Sequence, residues 1–193
     1  PKRPVGPPPG GYPIGQYQVA DYGVRVGPDP ESAVVVTIPP VWNLVVTAVL
    51  AHPPDARDQQ RLEAALQAIE TAYVYAPAGV FTLVGYGLPY FRSYIQPTLF
   101  EAHLPKMAGA LAEPALLDAV PFASDPPSLL LETNDVVFHF RSDMLEHLHD
   151  IQQALFNRSG TLAGQAAPTA DLSDLLAVTS VRTGFVGPGL PRR

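Results

Sequence analysis

The chain has 193 residues, of which 47% are hydrophobic and 16% charged, and its 12 basic and 18 acidic side chains give a formal net charge of −6. This length suits one domain with a real core, and without a cluster of Lys or Arg the chain lacks the electrostatic footprint of a nucleic-acid or anionic-membrane binder. Having no cysteine, it has no disulfide, thiolate metal site, iron–sulfur cluster or cysteine nucleophile.

Residues 1–33 are predicted to form an extended Pro/Gly-rich arm, because residues 1–15 alone carry six prolines and four glycines. Two interpretations are open: the arm is ordered only where it crosses another surface, or it is a flexible terminus. A first residue Pro1 instead of methionine leads us to expect that an upstream segment has been removed, which allows a cleaved export signal and a secreted or cell-envelope location.

The folded lobe is predicted over residues 34–193. β-branched runs stopped by Pro-Pro pairs predict two strands, apolar residues at steps of four, three and four predict a helix before Pro77, and a short strand then leads through a Gly-Leu-Pro elbow into a short helix. These elements are predicted at Val34–Ile38, Asn43–Leu50, about 57–75, Val80–Gly85 and 87–95.

The second half begins with residues 97–127, a Pro-rich excursion that we expect to cover a pocket or an interface, with a weak helix at 108–117. A strand over Leu129–Leu131 and 135–141 follows, then a helix with Ser142 as N-cap that ends near Phe156. A loop at 159–170 precedes a last strand at 175–183. The prolines and glycines, 23 and 15 in all, agree with long loops between few regular elements.

The last six elements read β, α, β, β, α, β, the order of the ferredoxin-like split βαβ motif, so the predicted class is α+β with two helices on one face of a four-stranded antiparallel sheet. The other face then needs a cover. A second such unit, from the same or another chain, packed sheet to sheet would form a dimeric α+β barrel with a cavity able to hold a flat cofactor. The sequence therefore predicts an oligomer or one half of a larger protein.

Three segments resemble a little-characterised family of microbial secreted proteins. They read RDQQRLEAALQAIETAY, VFTLVGYGLPYF and RTGFVGPGLP, with DVVFHFRSD between the second and third, and the similarity covers about residues 35–191. That family looks like a distant branch of the dye-decolourising peroxidases, which have two ferredoxin-like lobes and bind haem mainly through the C-terminal lobe.

The resemblance implies that this chain is the N-terminal lobe or subunit of a haem-dependent peroxidase-like oxidoreductase, completed by its C-terminal half. The distal aspartate of a Gly-x-x-Asp-Gly motif is absent, because the chain stops soon after RTGFVGPGLP, and the proximal histidine and distal arginine lie later in the family. The haem ligand is therefore expected on the partner. The abrupt end at Arg193 suggests a cut by processing or by design.

His139 and Arg141 are the candidate catalytic residues. Both lie on the same face of the strand predicted at 135–141, because they are two residues apart. An imidazole on that face, if it faces a sheet cavity, could serve as ligand or proton shuttle. The alternative is a histidine hydrogen-bonded at the sheet face. His147 and His149, two apart on a helix, do not form the i, i+4 pair of a metal site and are predicted to be solvated, so no metal site is predicted.

The RTGFVGPGLP segment supplies the candidate cofactor-binding residues Arg182, Gly184, Phe185 and Gly187. Its glycines could let the backbone approach a cofactor or partner closely, or could simply serve turns with positive φ. The chain has neither a Gly-Lys-Ser/Thr phosphate loop nor a Gly-x-Ser-x-Gly elbow. Two functions stay open: the peroxidase-like lobe, and a non-catalytic secreted dimeric α+β barrel used for binding or structure.

Overall fold

The computed structural model describes residues 24–26, 28, 33, 36–107 and 114–186. Most of the predicted arm lies outside these residues. A 3-10 turn at Pro168–Ala170 precedes the last strand. In chain order the elements are β1 (Val24–Val26), β2 (Val36–Ile38), β3 (Trp42–Leu50), α1 (Ala56–Ala72), β4 (Phe81–Tyr86), α2 (Leu88–Tyr94), α3 (Pro97–His103), β5 (Val136–Ser142), α4 (Leu145–Phe156), β6 (Thr161–Leu162), β7 (Gln165–Ala166) and β8 (Leu176–Phe185).

Four strands form an antiparallel sheet in the order β4-β5-β3-β8, which confirms the mixed α+β class and the predicted four-stranded antiparallel sheet. In the middle of the sheet Val46 lies opposite Phe138 on one side and Val181 on the other, and Phe138 lies opposite Val84 of β4. The pair β1-β2 and the pair β6-β7 each form a separate two-stranded sheet.

The core lies between one face of the sheet and helices α1 and α4. Alternate residues of β3 and β5 point to this face, as the period of two requires, and they meet apolar residues of both helices. The fully buried side chains include Leu44, Val46, Phe138, Phe140, Ile69, Leu148, Ile151 and Leu155. Each of these large side chains stabilises the fold by about 1.5–3 kcal/mol relative to an exposed position.

Helix α1 begins at a capping box. The Asp55 carboxylate accepts the amide N–H of Arg57 at 2.7 Å and of Asp58 at 2.9 Å, and Asp58 accepts the N–H of Asp55 at 3.2 Å. These bonds satisfy amides that have no partner inside the helix, and the one from Asp58 is the main reason why the pKa of Asp55 is lowered.

A β-bulge interrupts the pairing of β3 with β8. Thr47 lies opposite Ser180, but the next residue, Ala48, lies opposite Val178, which leaves Thr179 as an extra residue on β8. A bulge of this kind bends the strand and increases its twist locally. Val178 and Ser180, on either side of Thr179, therefore lie on opposite faces of the sheet, although an unbroken alternation would put them on the same face.

Several sequence predictions were wrong in detail. Leu129–Leu131 are exposed coil instead of strand, and α1 ends at Ala72 instead of about 75. The excursion contains α3, which the sequence did not predict; Pro97 occupies its first turn, where proline needs no amide hydrogen. Residues 114–117 form no helix, and the rest of the predicted weak helix lies outside the described residues.

Ser142 is the last residue of β5 and not the N-cap of α4, which is Met144. The Ser142 hydroxyl is buried because it donates to the Gly79 carbonyl at 2.6 Å, while it accepts the Met144 N–H at 2.9 Å. The predicted solvation of His147 is also wrong: its ring packs on Tyr73 at 4.6 Å, and its buried Nδ1 has no hydrogen-bond partner among the described residues. His149 is exposed, as predicted.

Among the described residues, no helix combines the length and the apolar character needed to cross a membrane.

Candidate functional site

The sheet face opposite the helices, called the open face below, carries most of the candidate residues. Along β5 it presents Val137, His139 and Arg141, and their neighbours on β3 are Thr47, Val45 and Asn43. Leu83 of β4 lies opposite His139 and is 57% exposed. The open face therefore combines apolar and ionisable side chains in one surface.

Asn43, near the start of β3, joins the two candidate catalytic residues. The Asn43 Oδ1 atom accepts a hydrogen bond from His139 Nε2 at 3.0 Å and another from Arg141 Nε. A carboxamide oxygen has two lone pairs and can accept both bonds. The imidazole and the guanidinium are thus held side by side in fixed orientations.

Burial lowers the pKa of His139, and the positive charge of Arg141 lowers it further. Burial also lowers the pKa of Arg141, a direction that still leaves a guanidinium charged at neutral pH. His139 is therefore neutral near pH 7, with its Nε2 hydrogen directed to Asn43 and its Nδ1 lone pair available as an acceptor.

This lowered pKa predicts a specific pH dependence. Below pH about 6.5 the unfolded chain protonates its histidine first, so the free energy of unfolding falls as the pH decreases, by at most about 1.4 kcal/mol per pH unit for one proton. We expect His139→Gln, whose amide nitrogen can still donate to Asn43, to reduce this slope. Urea denaturation from pH 7.5 to 5 in both proteins measures it.

The four other histidines are present in both proteins, so any contribution from them cancels in the comparison. Equal acid-side slopes in the wild type and in His139→Gln would show that His139 ionises no differently in the folded and unfolded chains.

A second polar cluster lies across β3, at the β8 side of the open face. Glu132 pairs with Arg182 and accepts hydrogen bonds from Thr47 Oγ1 at 3.2 Å and from Asn134 Nδ2 at 3.0 Å. The bond from Asn134 is the largest of the contributions that lower the pKa of Glu132. Because Arg182 is 58% exposed, its ion pair contributes little to stability.

The extra residue of the bulge belongs to the same cluster. Thr179 Oγ1 donates to Asn134 Oδ1 at 2.6 Å and lies 2.9 Å from Thr47 Oγ1. The loop before β5 is thereby tied to β3 and β8.

The structure brings four of the six candidate residues together. His139, Arg141, Arg182 and Gly184 share the open face, where Arg182 lies opposite Val45 and Gly184 opposite Asn43. Phe185 points to the other face, where its ring meets Trp42 at 5.9 Å and it remains 72% exposed. Gly187 lies outside the described residues.

Two site residues were missed from the sequence. Asn43 and Thr47 are the polar residues of the otherwise apolar β3, and Asn43 is out of phase with the buried Leu44 and Val46. This pattern could have indicated a polar group on the open face. Glu132 is in a loop, and no local pattern in the sequence distinguishes it.

The open face contains no metal centre of its own among the described residues, since no group of three His, Asp or Glu side chains is close enough to hold an ion. His139 is a poor axial ligand because its Nε2 is bonded to Asn43 and Arg141 lies beside it. Arg141 suits a ligand carboxylate, because its two terminal nitrogens have no partner among the described residues.

A family model matches residues 40–193, and it describes a family of unknown function, DUF7405. No curated protein and no solved structure matches the chain.

Proposed function

The chain belongs to the DUF7405 family, whose function is unknown, and we propose that it is the first lobe of a two-lobed α+β protein in which the open face forms one wall of a cofactor cleft. The single observation that carries the proposal is the open face itself. Its half-buried His139 and Arg141 are held by Asn43, while Leu83 beside them is 57% exposed. Such a surface suits an interface better than bulk water.

The topology supports a ferredoxin-like lobe. The elements β3, α1, β4, β5, α4 and β8 follow the split βαβ order, and the strand order β4-β5-β3-β8 puts the first and third of these strands at the centre. Lobes of this kind leave one sheet face bare, and packing two sheets face to face buries it.

The excursion between α2 and β5 supports a partner as well. The described residues between Tyr94 and Val136 expose several large apolar residues, among them Leu130, which is 82% exposed, and Phe122, which is 76% exposed. Large apolar side chains exposed in such number along one segment are typical of protein interfaces. We propose that the second lobe covers part of it.

Haem is the cofactor that we propose, on the basis of the resemblance to dye-decolourising peroxidases. When bound, haem would supply the redox chemistry. On this lobe Arg141 would bind a carboxylate of the cofactor, Leu83 and Val45 would contact its apolar surface, and His139 would accept a proton at Nδ1. The axial ligand would come from the second lobe, because His139 is engaged by Asn43.

A second candidate is a secreted, non-catalytic dimeric α+β barrel used for binding or structure. The engagement of His139 Nε2 favours it, because in this arrangement His139 and Arg141 serve to fix the sheet face. Whether the partner chain carries an axial histidine distinguishes the two candidates, since the haem protein needs one and the non-catalytic barrel does not.

The test is purification of the native protein with a record of its absorption spectrum and its polypeptides. We expect a Soret band and a second α+β unit bound to this chain. Leu83→Asp places a charge on the open face and is expected to release the partner and the haem. Met144→Asp places the same charge at the N-cap of α4, on a 38% exposed apolar residue away from the open face and the excursion, and is expected to leave both in place.

A haem-free preparation in which this chain is alone and monodisperse would overturn the proposal. A haem-free dimer that Leu83→Asp dissociates would support the second candidate instead.

A further inference from the structure

A groove of about 640 Å³ lies on the helix side of the sheet, away from the open face, between the first turn of α1 and helix α2. Its wall is built from Tyr86 at the end of β4 and Tyr90, Phe91 and Tyr94 of α2. The Tyr86 and Tyr90 rings lie 4.7 Å apart, and the Tyr90 and Tyr94 rings 5.6 Å apart. The wall is therefore a continuous row of aromatic rings.

The tyrosine hydroxyls of this wall are free to bind a guest. Tyr86, Tyr90 and Tyr94 make no hydrogen bond through their hydroxyls within the described part of the chain. Burial raises the pKa of Tyr86 and of Tyr94, so both are donors at neutral pH. A guest that presents unpaired carbonyl groups beside apolar rings matches this wall.

The rim of the groove is acidic. Asp55 and Asp58 line it, and none of its lining side chains is basic. Arg57 acts on Asp55, and Arg61 lies 3.7 Å from Asp58 but is also paired with Asp174. Three carboxylates therefore meet two arginines at this end. A basic guest is favoured over an acidic one.

Extended proline-rich peptides have this chemistry. The polyproline II helix makes no internal hydrogen bonds, so its carbonyl groups face outward. Its proline rings dock in aromatic-lined grooves, and because the helix is already formed, little conformational entropy is lost on binding. The sequence of this chain begins PKRPVGPPPGGYP, with Lys2 and Arg3 ahead of the run Pro7–Pro9. Its charge and its apolar rings complement the rim and the wall.

We propose that the groove binds the chain's own basic, proline-rich segment, residues 1–13. The ten residues from 14 to 23 connect this segment to β1 and span up to about 35 Å when extended, more than the length of β3, about 30 Å. The connection is thus long enough to pass from one end of the sheet to the other. This contact is independent of the open face and of any cofactor.

Photo-crosslinking in the full chain tests the contact. With Tyr90 replaced by p-benzoylphenylalanine, we expect irradiation to join position 90 to residues 1–13 of the same molecule, as read by mass spectrometry of the monomer band. The same replacement at Phe122, which is 76% exposed and does not line the groove, is the control and should not capture this segment. Circular dichroism checks that each variant is folded.

Two further variants test the chemistry. Lys2→Glu with Arg3→Glu should lower the crosslink yield about fivefold, the effect of two exposed ion pairs, and added salt should lower the wild-type yield in the same direction. Replacing Pro7, Pro8 and Pro9 by alanine should lower it through the lost ring contacts.

Crosslinks between two molecules, equal capture from position 122, or no capture at position 90 would each overturn the proposal. Because the experiment needs neither haem nor a second lobe, its failure leaves the open-face proposal untouched.

Discussion

Replacing Phe140 by alanine should lower the free energy of unfolding by about 3–5 kcal/mol. Phe140 is fully buried in the middle of β5, stacks on Phe138 at 6.2 Å and lies between Leu44 of β3 and Thr82 of β4. Removing the ring loses the free energy of its burial and leaves a cavity that the surrounding elements cannot fully close. A loss of this size is a large part of the 5–15 kcal/mol that folded domains have.

Urea denaturation followed by circular dichroism measures the loss. Leu83→Ala is the matched control on the neighbouring strand: Leu83 faces the open side and is 57% exposed, so truncation should change the unfolding free energy of the isolated chain by no more than about 0.5 kcal/mol. Equal losses in the two variants would mean that the two faces of the sheet are equally covered.

Gly79→Ala should be the second most damaging change. A Cβ atom at Gly79 would lie 1.9 Å from the backbone oxygen of Val74 and 2.8 Å from its carbonyl carbon. That oxygen accepts the N–H of Val80 at 3.1 Å, and the Gly79 carbonyl accepts the Ser142 hydroxyl at 2.6 Å. Since backbone atoms cannot step aside like a flexible side chain, the turn between α1 and β4 must move, at a cost of about 1–3 kcal/mol.

Gly184→Ala provides the comparison with the same chemical change. A Cβ atom at Gly184 meets no atom within 4 Å, and alanine is favoured over glycine inside a strand by about 0.5–1 kcal/mol. We expect the melting temperature to fall in Gly79→Ala and to stay level or rise slightly in Gly184→Ala. A stable Gly79→Ala protein would show that the turn is not fixed by close packing.

Most elements of the folded lobe could be predicted because the sequence patterns that indicate them are local and agree with one another. The alternation in 136–141 placed Phe138 and Phe140 on the core side and His139 and Arg141 opposite them, as the structure has it. The helical spacing over α1 and the proline stops around β3 were equally direct. Element ends were less predictable because caps depend on contacts with distant residues, as Ser142 shows through its bond to Gly79.

The excursion and the polar clusters were harder to predict. The prolines around α3 suggested a loop, although a proline in the first turn is compatible with a helix. Leu129–Leu131 have the composition of a strand but pair with no strand in the described part of the chain. The bonds of Asn43 to β5 and of Glu132 to β8 join residues 50 or more positions apart, which no short pattern encodes.

The bulge at Thr179 also shifts the alternation of side chains along β8 by one residue. Before it the residues facing the helices have even numbers, Leu176 and Val178, and after it odd numbers, Val181 and Thr183. An uninterrupted alternation would put Arg182 with Leu176 and hide it from His139. When related chains are aligned, one residue fewer at Thr179 therefore leaves the two surfaces of the sheet intact, while one residue more or fewer beyond it exchanges them.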